Sequence, residues 1–206
     1  MLSLYTSALV TFFLVIDPPG CAPIFAGLTR SAAASHRRAM AVRSVAVGTG
    51  ILLFFALLGE KLLDALNISL DAFRIAGGLM LTLIALEMVF EIRTARRENR
   101  ANDVAASAQE DISVFPMAIP MLAGPGSIAA VMLMTSRSDG LAETAVVLGA
   151  LLTIMAVALL ALLAAGPLLA FLGHRVEAML TRLLGVLLAA LAAQFFIDGI
   201  KGAFDL

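Results

Sequence analysis

Six long apolar runs, separated by short polar stretches, form the main pattern of this chain. The runs cover residues 5–29, 44–66, 72–92, 112–135, 143–172 and 178–200. An α-helix needs about 20 apolar residues to cross the hydrocarbon core of a bilayer, and each run reaches that length. The pattern therefore predicts an all-α membrane protein in which six transmembrane helices form a single domain.

One polar stretch separates two of these runs, and a glycine–proline pair interrupts another. Residues 93–111 mix charges of both signs with small residues, which is typical of a solvated, mobile loop. The fifth run contains Gly166-Pro167. Since proline and glycine bend or end helices, we expect the end of this span to be bent or to lie at the membrane interface.

Composition agrees with a membrane location. Hydrophobic residues make up 61% of the chain and charged residues 14%, whereas soluble domains are about 45–50% apolar. The net charge of −1 and the absence of a basic face exclude a nucleic-acid partner. Cys21 is the single cysteine, so an intrachain disulfide or a thiolate metal site cannot form, and no cofactor is expected. The N-terminus lacks the basic region of a cleavable signal peptide, so the first span is predicted to be retained.

The distribution of lysine and arginine predicts the orientation. Ten of these residues flank the side that contains the first and third loops: Arg30, Arg37, Arg38, Arg43, Arg93, Arg96, Arg97, Arg100, Arg175 and Arg182. Four flank the other side: Lys61, Arg74, Arg137 and Lys201. Because cytoplasmic loops carry the excess of basic residues, both termini are predicted to lie on the periplasmic or extracellular face.

The first span is interrupted by the motif Asp17-Pro18-Pro19-Gly20. Two prolines remove two backbone donors and clash with the preceding turn, and an intramembrane aspartate costs on the order of 3 kcal/mol. Such a break persists only where protein or a water-filled cavity surrounds it. We therefore predict a membrane helix that is broken at mid-depth.

The chain also repeats itself at a nearly constant offset, between 106 and 108 positions. Pro19-Gly20 corresponds to Pro125-Gly126, and Arg74-Ile75-Ala76-Gly77 corresponds to Arg182-Leu183-Leu184-Gly185. Six of the seven prolines lie in spans 1 and 4. The repeats are predicted to cover residues 1–92 and 112–206, with 93–111 as a cytoplasmic loop. Because three spans are an odd number, the second copy is predicted to be inverted, as in many secondary transporters.

The two breaks in spans 1 and 4 are the candidate substrate site. A helix that restarts at mid-membrane offers unpaired N–H groups and a partial positive charge, which suit a carboxylate, while Asp17 suits an ammonium group or a coupling H+ or Na+. Glycines let a ligand approach the backbone. The candidate residues are Asp17, Pro18, Pro19, Gly20, Cys21, Gly124, Pro125, Gly126 and Ser127.

Structural roles are the alternatives for these residues. Asp17 is also a good N-cap, the prolines can kink helices for packing, and Ser127 can bond to its own helix. Cys21 is more often a small packing residue than a ligand. Glu87 and Gln194, which are related by the same repeat offset, are candidate pathway residues, and hydrogen bonding between helices is the alternative for both.

Several motifs of this sequence resemble the MarC family, also called the neutral amino acid transporter family. They are Asp17-Pro18-Pro19-Gly20, Arg74-Ile75-Ala76-Gly77-Gly78, Gly124-Pro125-Gly126-Ser127 and the ending Gln194-Phe195-Phe196-Ile197-Asp198-Gly199-Ile200. The resemblance covers essentially the whole chain. It implies a bacterial inner-membrane protein with six spans that transports or exports small neutral amino acids such as glycine and alanine.

Other functions compete with this interpretation. A lipid-carrier phosphate flippase, or efflux of another small molecule or a drug, would use the same architecture, although Asp17 would repel a phosphate dianion. An enzyme is not expected, because a serine protease would need His174 beside Ser127 and aspartyl chemistry needs a second central acid. The expected partners are a small-molecule substrate and the lipid bilayer, and assembly into a homo-oligomer is left open.

Overall fold

The computed structural model describes residues 1–30, 32–92 and 111–204, and for residues 167–178 it describes the backbone alone. Within these ranges the regular structure is entirely helical. The helices are α1 (Leu2–Ile16), α2 (Pro18–Leu28), α3 (Ala34–Ala65), α4 (Leu70–Val89), α5 (Ser113–Leu122), α6 (Pro125–Thr135), α7 (Leu141–Leu163) and α8 (Ala165–Phe204).

Five helical segments are long and apolar enough to cross a membrane, and α5 with α6 makes a sixth if the bent pair counts as one span. The segment Leu2–Leu28 includes both α1 and α2, whereas α5 and α6 are bent by 53°. These findings confirm an all-helical membrane protein with five to six apolar spans. The depth of the interruptions in the bilayer and the inverted repeat stay predictions.

Two helices begin or end away from the predicted span boundaries. The apolar pattern starts the second span at residue 44, but α3 already begins at Ala34, because the basic stretch before the apolar run continues the helix outside it. The same pattern carries the fifth span to residue 172, but α7 ends at Leu163 and α8 begins at Ala165. The helix break thus lies at Ala164, close to the Gly166-Pro167 pair, and Pro167 lies in the first turn of α8, where proline is tolerated. The predicted loop 93–111 lies outside the described residues, except for Asp111.

Helices α4 and α8 form a closely packed antiparallel pair, here called the α4–α8 pair. A Cβ built on Gly78 of α4 would lie 2.8 Å from the backbone nitrogen of Phe196 and 2.9 Å from the carbonyl oxygen of Ala192. A Cβ on Gly185 of α8 would lie 3.1 Å from the carbonyl oxygen of Ala85. The glycines therefore let the two backbones approach, as small residues do between membrane helices.

The short helices lie in the interior of the molecule. Of the apolar window in Leu2–Leu28, 72% is buried, against 28% for α4. In addition, α6 is buried along most of its length. Helices α1 and α2 pack against α7, while α5 and α6 pack against α3. The longer helices thus surround the two interruptions, and their own outer faces expose apolar side chains.

Asp111 organises the start of α5 and gives a pH-dependent contribution to stability. Hydrogen bonds from Ser113, with a further contribution from Arg43, hold the pKa of Asp111 below its ordinary value. A carboxyl with a lowered folded pKa stabilises the fold above its unfolded pKa, and that contribution disappears as the pH falls through the folded value.

We expect Asp111→Asn to lower thermal stability modestly at neutral pH, by less than ~1 kcal/mol, because the ion pair with Arg43 is largely exposed. The difference from wild type should vanish in acid, once the wild-type carboxyl is protonated. Thermal unfolding of the purified protein across pH measures this. A difference that persists unchanged at the lowest pH would contradict the assigned ionisation.

Candidate functional site

The first interruption is a helix break that Asp17 both makes and caps. Asp17 has left-handed backbone angles, φ 56° and ψ 63°, which end α1 and redirect the chain into α2. Pro18 and Pro19 then occupy the first positions of α2, where their missing N–H groups cost nothing. The backbone N–H of Gly20 donates to Asp17 Oδ1 at 3.1 Å. The cap role considered from the sequence is therefore present in the structure.

The carboxylate of Asp17 fills the N-terminal end of α2. A Cβ built on Gly20 would lie 2.9 Å from Asp17 Oδ1 and still closer to Oδ2, so only glycine leaves room for the carboxylate. Asp17 is 1% exposed. The end of α2 therefore already holds a negative charge of the protein itself and is not a second anion site, in contrast to the sequence-based expectation.

The second interruption has different chemistry. Ala123 and Gly124 separate α5 from α6, and Gly124 is extended with φ −83° and ψ 169°. Pro125 opens α6, and Ala123 stands where the first interruption has its acid. Gly126 is buried and Ser127 is 5% exposed, whereas Pro125 is exposed. The start of α6 therefore carries no acidic cap and keeps its partial positive charge for another group.

The two interruptions are neighbours in the core. Val15, two residues before Asp17, places its Cγ1 3.5 Å from a Cβ built on Gly126. The same proximity is seen at the level of helices, since α1 packs against α6 and α2 against α5. A buried carboxylate and an uncapped helix start thus share one region of the interior.

Cys21 and Ser127 occupy corresponding positions after the two Pro-Gly pairs. The thiol of Cys21 is fully buried and lies 3.5 Å from the carbonyl oxygen of Ile16, a carbonyl freed by the break. This contact favours the packing role for Cys21. Ser127 is buried at the start of α6, in the position where a hydroxyl can supplement the backbone N–H groups.

The structure does not bring Glu87 and Gln194 together. The antiparallel packing of α4 on α8, in which Gly78 meets Ala192 and Gly185 meets Ala85, puts them toward opposite ends of the α4–α8 pair. Gln194 is exposed, and its Nε2 donates to Asp198 Oδ1 at 2.7 Å. Glu87 is half-buried one turn before Glu91. The two candidate pathway residues therefore do not form a common site.

Three apolar side chains that the sequence did not single out cover Gly126. They are Val15, Leu81 and Ile84; Ile84 Cδ1 is the nearest atom to a Cβ built on Gly126, and Leu81 Cδ2 is at 3.5 Å. Nothing in the spacing of apolar residues distinguishes these positions from others on α1 and α4. They show that the start of α6 is sealed by α4 in this structure.

We expect Gly126→Ala to destabilise the protein by about 1–3 kcal/mol, because the added methyl group overlaps Ile84 Cδ1. Ile84→Val removes that one atom and should recover most of the loss when combined with Gly126→Ala. Thermal unfolding of the two single variants and the double variant gives the coupling energy.

The control is Gly27→Ala in α2, where an added Cβ meets nothing within 4 Å. Ile84→Val should have no compensating effect on that variant. Additive effects of Gly126→Ala and Ile84→Val would mean that the two residues are not in contact.

Comparison with known proteins agrees with this membrane architecture. A family profile described as "MarC family integral membrane protein" matches residues 2–204. The UPF0056 membrane protein of Methanocaldococcus jannaschii is 37% identical over 202 residues, covering 98% of both chains. The UPF0056 inner membrane protein YhgN of Escherichia coli K12 is 33% identical over 95% of both chains. No solved structure matches. This chain therefore belongs to the MarC family of integral membrane proteins.

Proposed function

We propose that this protein is a secondary transporter of small neutral amino acids in the bacterial inner membrane. The substrate lies between the two helix interruptions, with its ammonium group at Asp17 and its carboxylate at the start of α6. A proton or sodium ion at Asp17 is the alternative occupant that couples transport to a gradient. The observation that carries the proposal is the buried Asp17 carboxylate next to an uncapped helix start.

The inverted repeat is supported by how the helices pack. In the predicted repeat, α1, α2, α3 and α4 correspond to α5, α6, α7 and α8, in that order. The counterpart of the α1–α7 contact is then the α5–α3 contact, and both contacts are present. The same holds for α2–α7 with α6–α3, for α2–α8 with α6–α4, and for α1–α6 with α5–α2. A pseudo-twofold axis in the membrane plane would produce this exchange.

Contacts between individual residues of the α4–α8 pair also recur when corresponding positions of the two predicted repeats are exchanged. Gly78 approaches Ala192, and Gly185 approaches Ala85. Gly185 lies 107 positions after Gly78, and Ala192 lies 107 positions after Ala85, so each contact is the repeat equivalent of the other. This agreement supports two copies of one three-span unit more directly than the sequence offsets do.

The two interruptions together have the polarity of a zwitterion. Asp17 supplies the negative group, and the N–H groups of Gly126 and Ser127 at the start of α6 can bind a carboxylate. The apolar side chains of Val15, Leu81 and Ile84 leave little room at Gly126, which favours a small substrate. A phosphate dianion is disfavoured, because the buried Asp17 carboxylate would repel it.

The ends of the helices are consistent with both termini on the periplasmic side, which we include in the proposal. Arg43–Asp111 and Arg182–Glu91 pair at one end, and Arg74–Asp71 and Arg137–Asp198 pair at the other. The first two arginines belong to the basic-rich side. We also propose no enzymatic role, since Asp17 is the only buried acid among the described residues. The side chain of His174 lies outside the described residues.

Uptake of labelled glycine and L-alanine into proteoliposomes tests the proposal, under an imposed proton or sodium gradient. Acetate and methylamine serve as matched competitors, since each carries only one of the two charges of the zwitterion. We expect unlabelled alanine to compete well and the single-charge compounds to compete poorly. Uptake that is absent, or that is inhibited equally by acetate, would contradict a zwitterion site.

A further inference from the structure

We propose that two ion pairs, one at each end of the α4–α8 pair, act as alternating gates by exchanging partners. The outer end is defined by Asp71 and Gly202, and the inner end by Glu91 and Arg182. The proposal rests on the proposed transport function and adds the residues that close each side of the site.

At the outer end, Arg137, which follows the short interior helix α6, contacts α8. Arg137, just after α6, pairs with Asp198. Its guanidinium also lies 4.5 Å from the ring centre of Phe195, which is fully buried. Gln194 donates to the other oxygen of Asp198 at 2.7 Å. The ion pair and the cation–π contact of Arg137 therefore hold the end of α6 against α8 and close this side, while Gln194 orients the Asp198 carboxylate from within α8.

At the inner end, the equivalent acid has a different partner. Glu91 lies 107 positions before Asp198, and Arg30, just after α2, lies 107 positions before Arg137. Exact symmetry would pair Glu91 with Arg30. Instead, Glu91 Oε1 lies 2.8 Å from the Arg182 guanidinium, which belongs to α8. The acid is thus bound within the α4–α8 pair and not to the residue that follows the short interior helix.

Each acid therefore has two basic candidates related by the repeat. Arg182 lies one position after the residue that the 107 offset relates to Arg74, so Arg74 is the basic residue of α4 nearest the equivalent place, and the outer counterpart of the Glu91–Arg182 pair is Asp198 with Arg74. Arg74 presently pairs with Asp71 at 2.8 Å, and its Nε is buried with no hydrogen-bond partner among the described residues. That donor is available to a second acceptor.

If the ion-pair arrangements at the outer and inner ends are interchanged, the result describes a transporter state that is open to the outer side. In that state Glu91 pairs with Arg30 and Asp198 with Arg74, which closes the inner side and releases α6 at the outer side. Partly exposed ion pairs contribute little individually, so their exchange suits two states of similar free energy. In folds with inverted repeats, alternating access gates one repeat against the other around a fixed site, and the exchange assigns ion pairs to the two gated states.

The native Cys21 reports on the gates without any introduced cysteine, since it lies beside Asp17 and is fully buried. The experiment measures alkylation of Cys21 by a membrane-impermeant maleimide, added to either side of sealed, oriented vesicles. Arg137→Glu should raise labelling from the outer side about fivefold, which corresponds to the loss of one such ion pair. Arg137→Glu with Asp198→Arg should return it to the wild-type rate, and Arg137→Lys should leave it unchanged.

The inner gate is tested with Arg30→Glu and Glu91→Arg. Each should raise labelling from the inner side, and the double variant should reverse the increase, although these two residues are not paired in the present structure. Arg43→Glu breaks an exposed inner ion pair outside the exchange and is the control. The exchange would be refuted if the Arg30→Glu, Glu91→Arg double variant kept the raised inner-side labelling of Cys21 while the Arg182→Glu, Glu91→Arg double variant returned it to the wild-type rate.

The labelling results are separate from the proposed substrate. Side-specific labelling with reversal by the charge swaps supports the gates even if glycine and alanine are not transported. If amino acids are taken up but substitutions of Arg30, Glu91, Arg137 and Asp198 do not change the labelling of Cys21, the transport function is supported and the gates are refuted. Labelling that rises equally from both sides and is not reversed indicates misfolding and counts against the proposal.

Discussion

Asp17→Asn should abolish amino-acid uptake and leave the fold almost unchanged. Asparagine is as good an N-cap as aspartate, and its side-chain oxygen can still accept from the Gly20 N–H. The negative charge that the proposed function assigns to binding of an ammonium group is lost. Removing one partner of a buried charge pair costs about 2–5 kcal/mol, so uptake should fall at least roughly 30-fold.

Asp17→Ala is the matched comparison, because it removes both the charge and the cap. It should also lose uptake, and in addition its stability should fall by about 1 kcal/mol. Uptake assays and thermal unfolding on the three proteins separate the two roles. Wild-type uptake by Asp17→Asn, with loss only in Asp17→Ala, would reduce Asp17 to a structural cap.

The second large effect is expected at the glycines of the α4–α8 pair. Gly78→Ala places a methyl group 2.8 Å from the backbone nitrogen of Phe196, and backbone cannot move aside as a flexible side chain can. The two helices must move apart along their contact. We therefore expect the free energy of unfolding to fall by about 1–3 kcal/mol. Gly185→Ala on the facing helix α8 should lower the stability by a similar amount, since the added methyl group would lie 3.1 Å from the Ala85 carbonyl oxygen.

Gly149→Ala in α7 is the control for these substitutions, because an added Cβ there meets nothing within 4 Å. It should be neutral or stabilising, since alanine favours helix over glycine by up to ~1 kcal/mol. Thermal unfolding in detergent gives the comparison. If Gly78→Ala is tolerated as well as Gly149→Ala, the two backbones do not approach as closely as described.

Apolar run lengths and proline placement predict much of this fold. Runs of about 20 apolar residues locate the spans, and Asp17-Pro18-Pro19 locates the break between α1 and α2, because proline marks the first turn of a helix. The start of α3 at Ala34 was not predictable from hydropathy, since the helix there continues in polar residues outside the apolar run. In α5 the backbone is irregular at Phe115, Ile119 and Pro120, and no periodic pattern describes such a segment.

The two helix interruptions were predictable from the sequence, but the side-chain geometry around them was not. The spacing of the two Pro-Gly pairs identified both interruptions, and the lone acid identified Asp17. That the Asp17 carboxylate turns back onto Gly20, and so removes one of the two anion sites, depends on side-chain geometry. The cover of Gly126 by Ile84 depends on how α4 crosses α6, which a single sequence does not encode in any local pattern.

An experimental structure of the purified protein with L-alanine bound tests the central claim most directly. The amino acid should lie between the two interruptions, with its ammonium group at the Asp17 carboxylate and its own carboxylate at the N–H groups of Gly126 and Ser127, and Ile84 should have moved away from Gly126. Alanine bound elsewhere, or in the reverse orientation with its carboxylate at the start of α2, would contradict the proposed site.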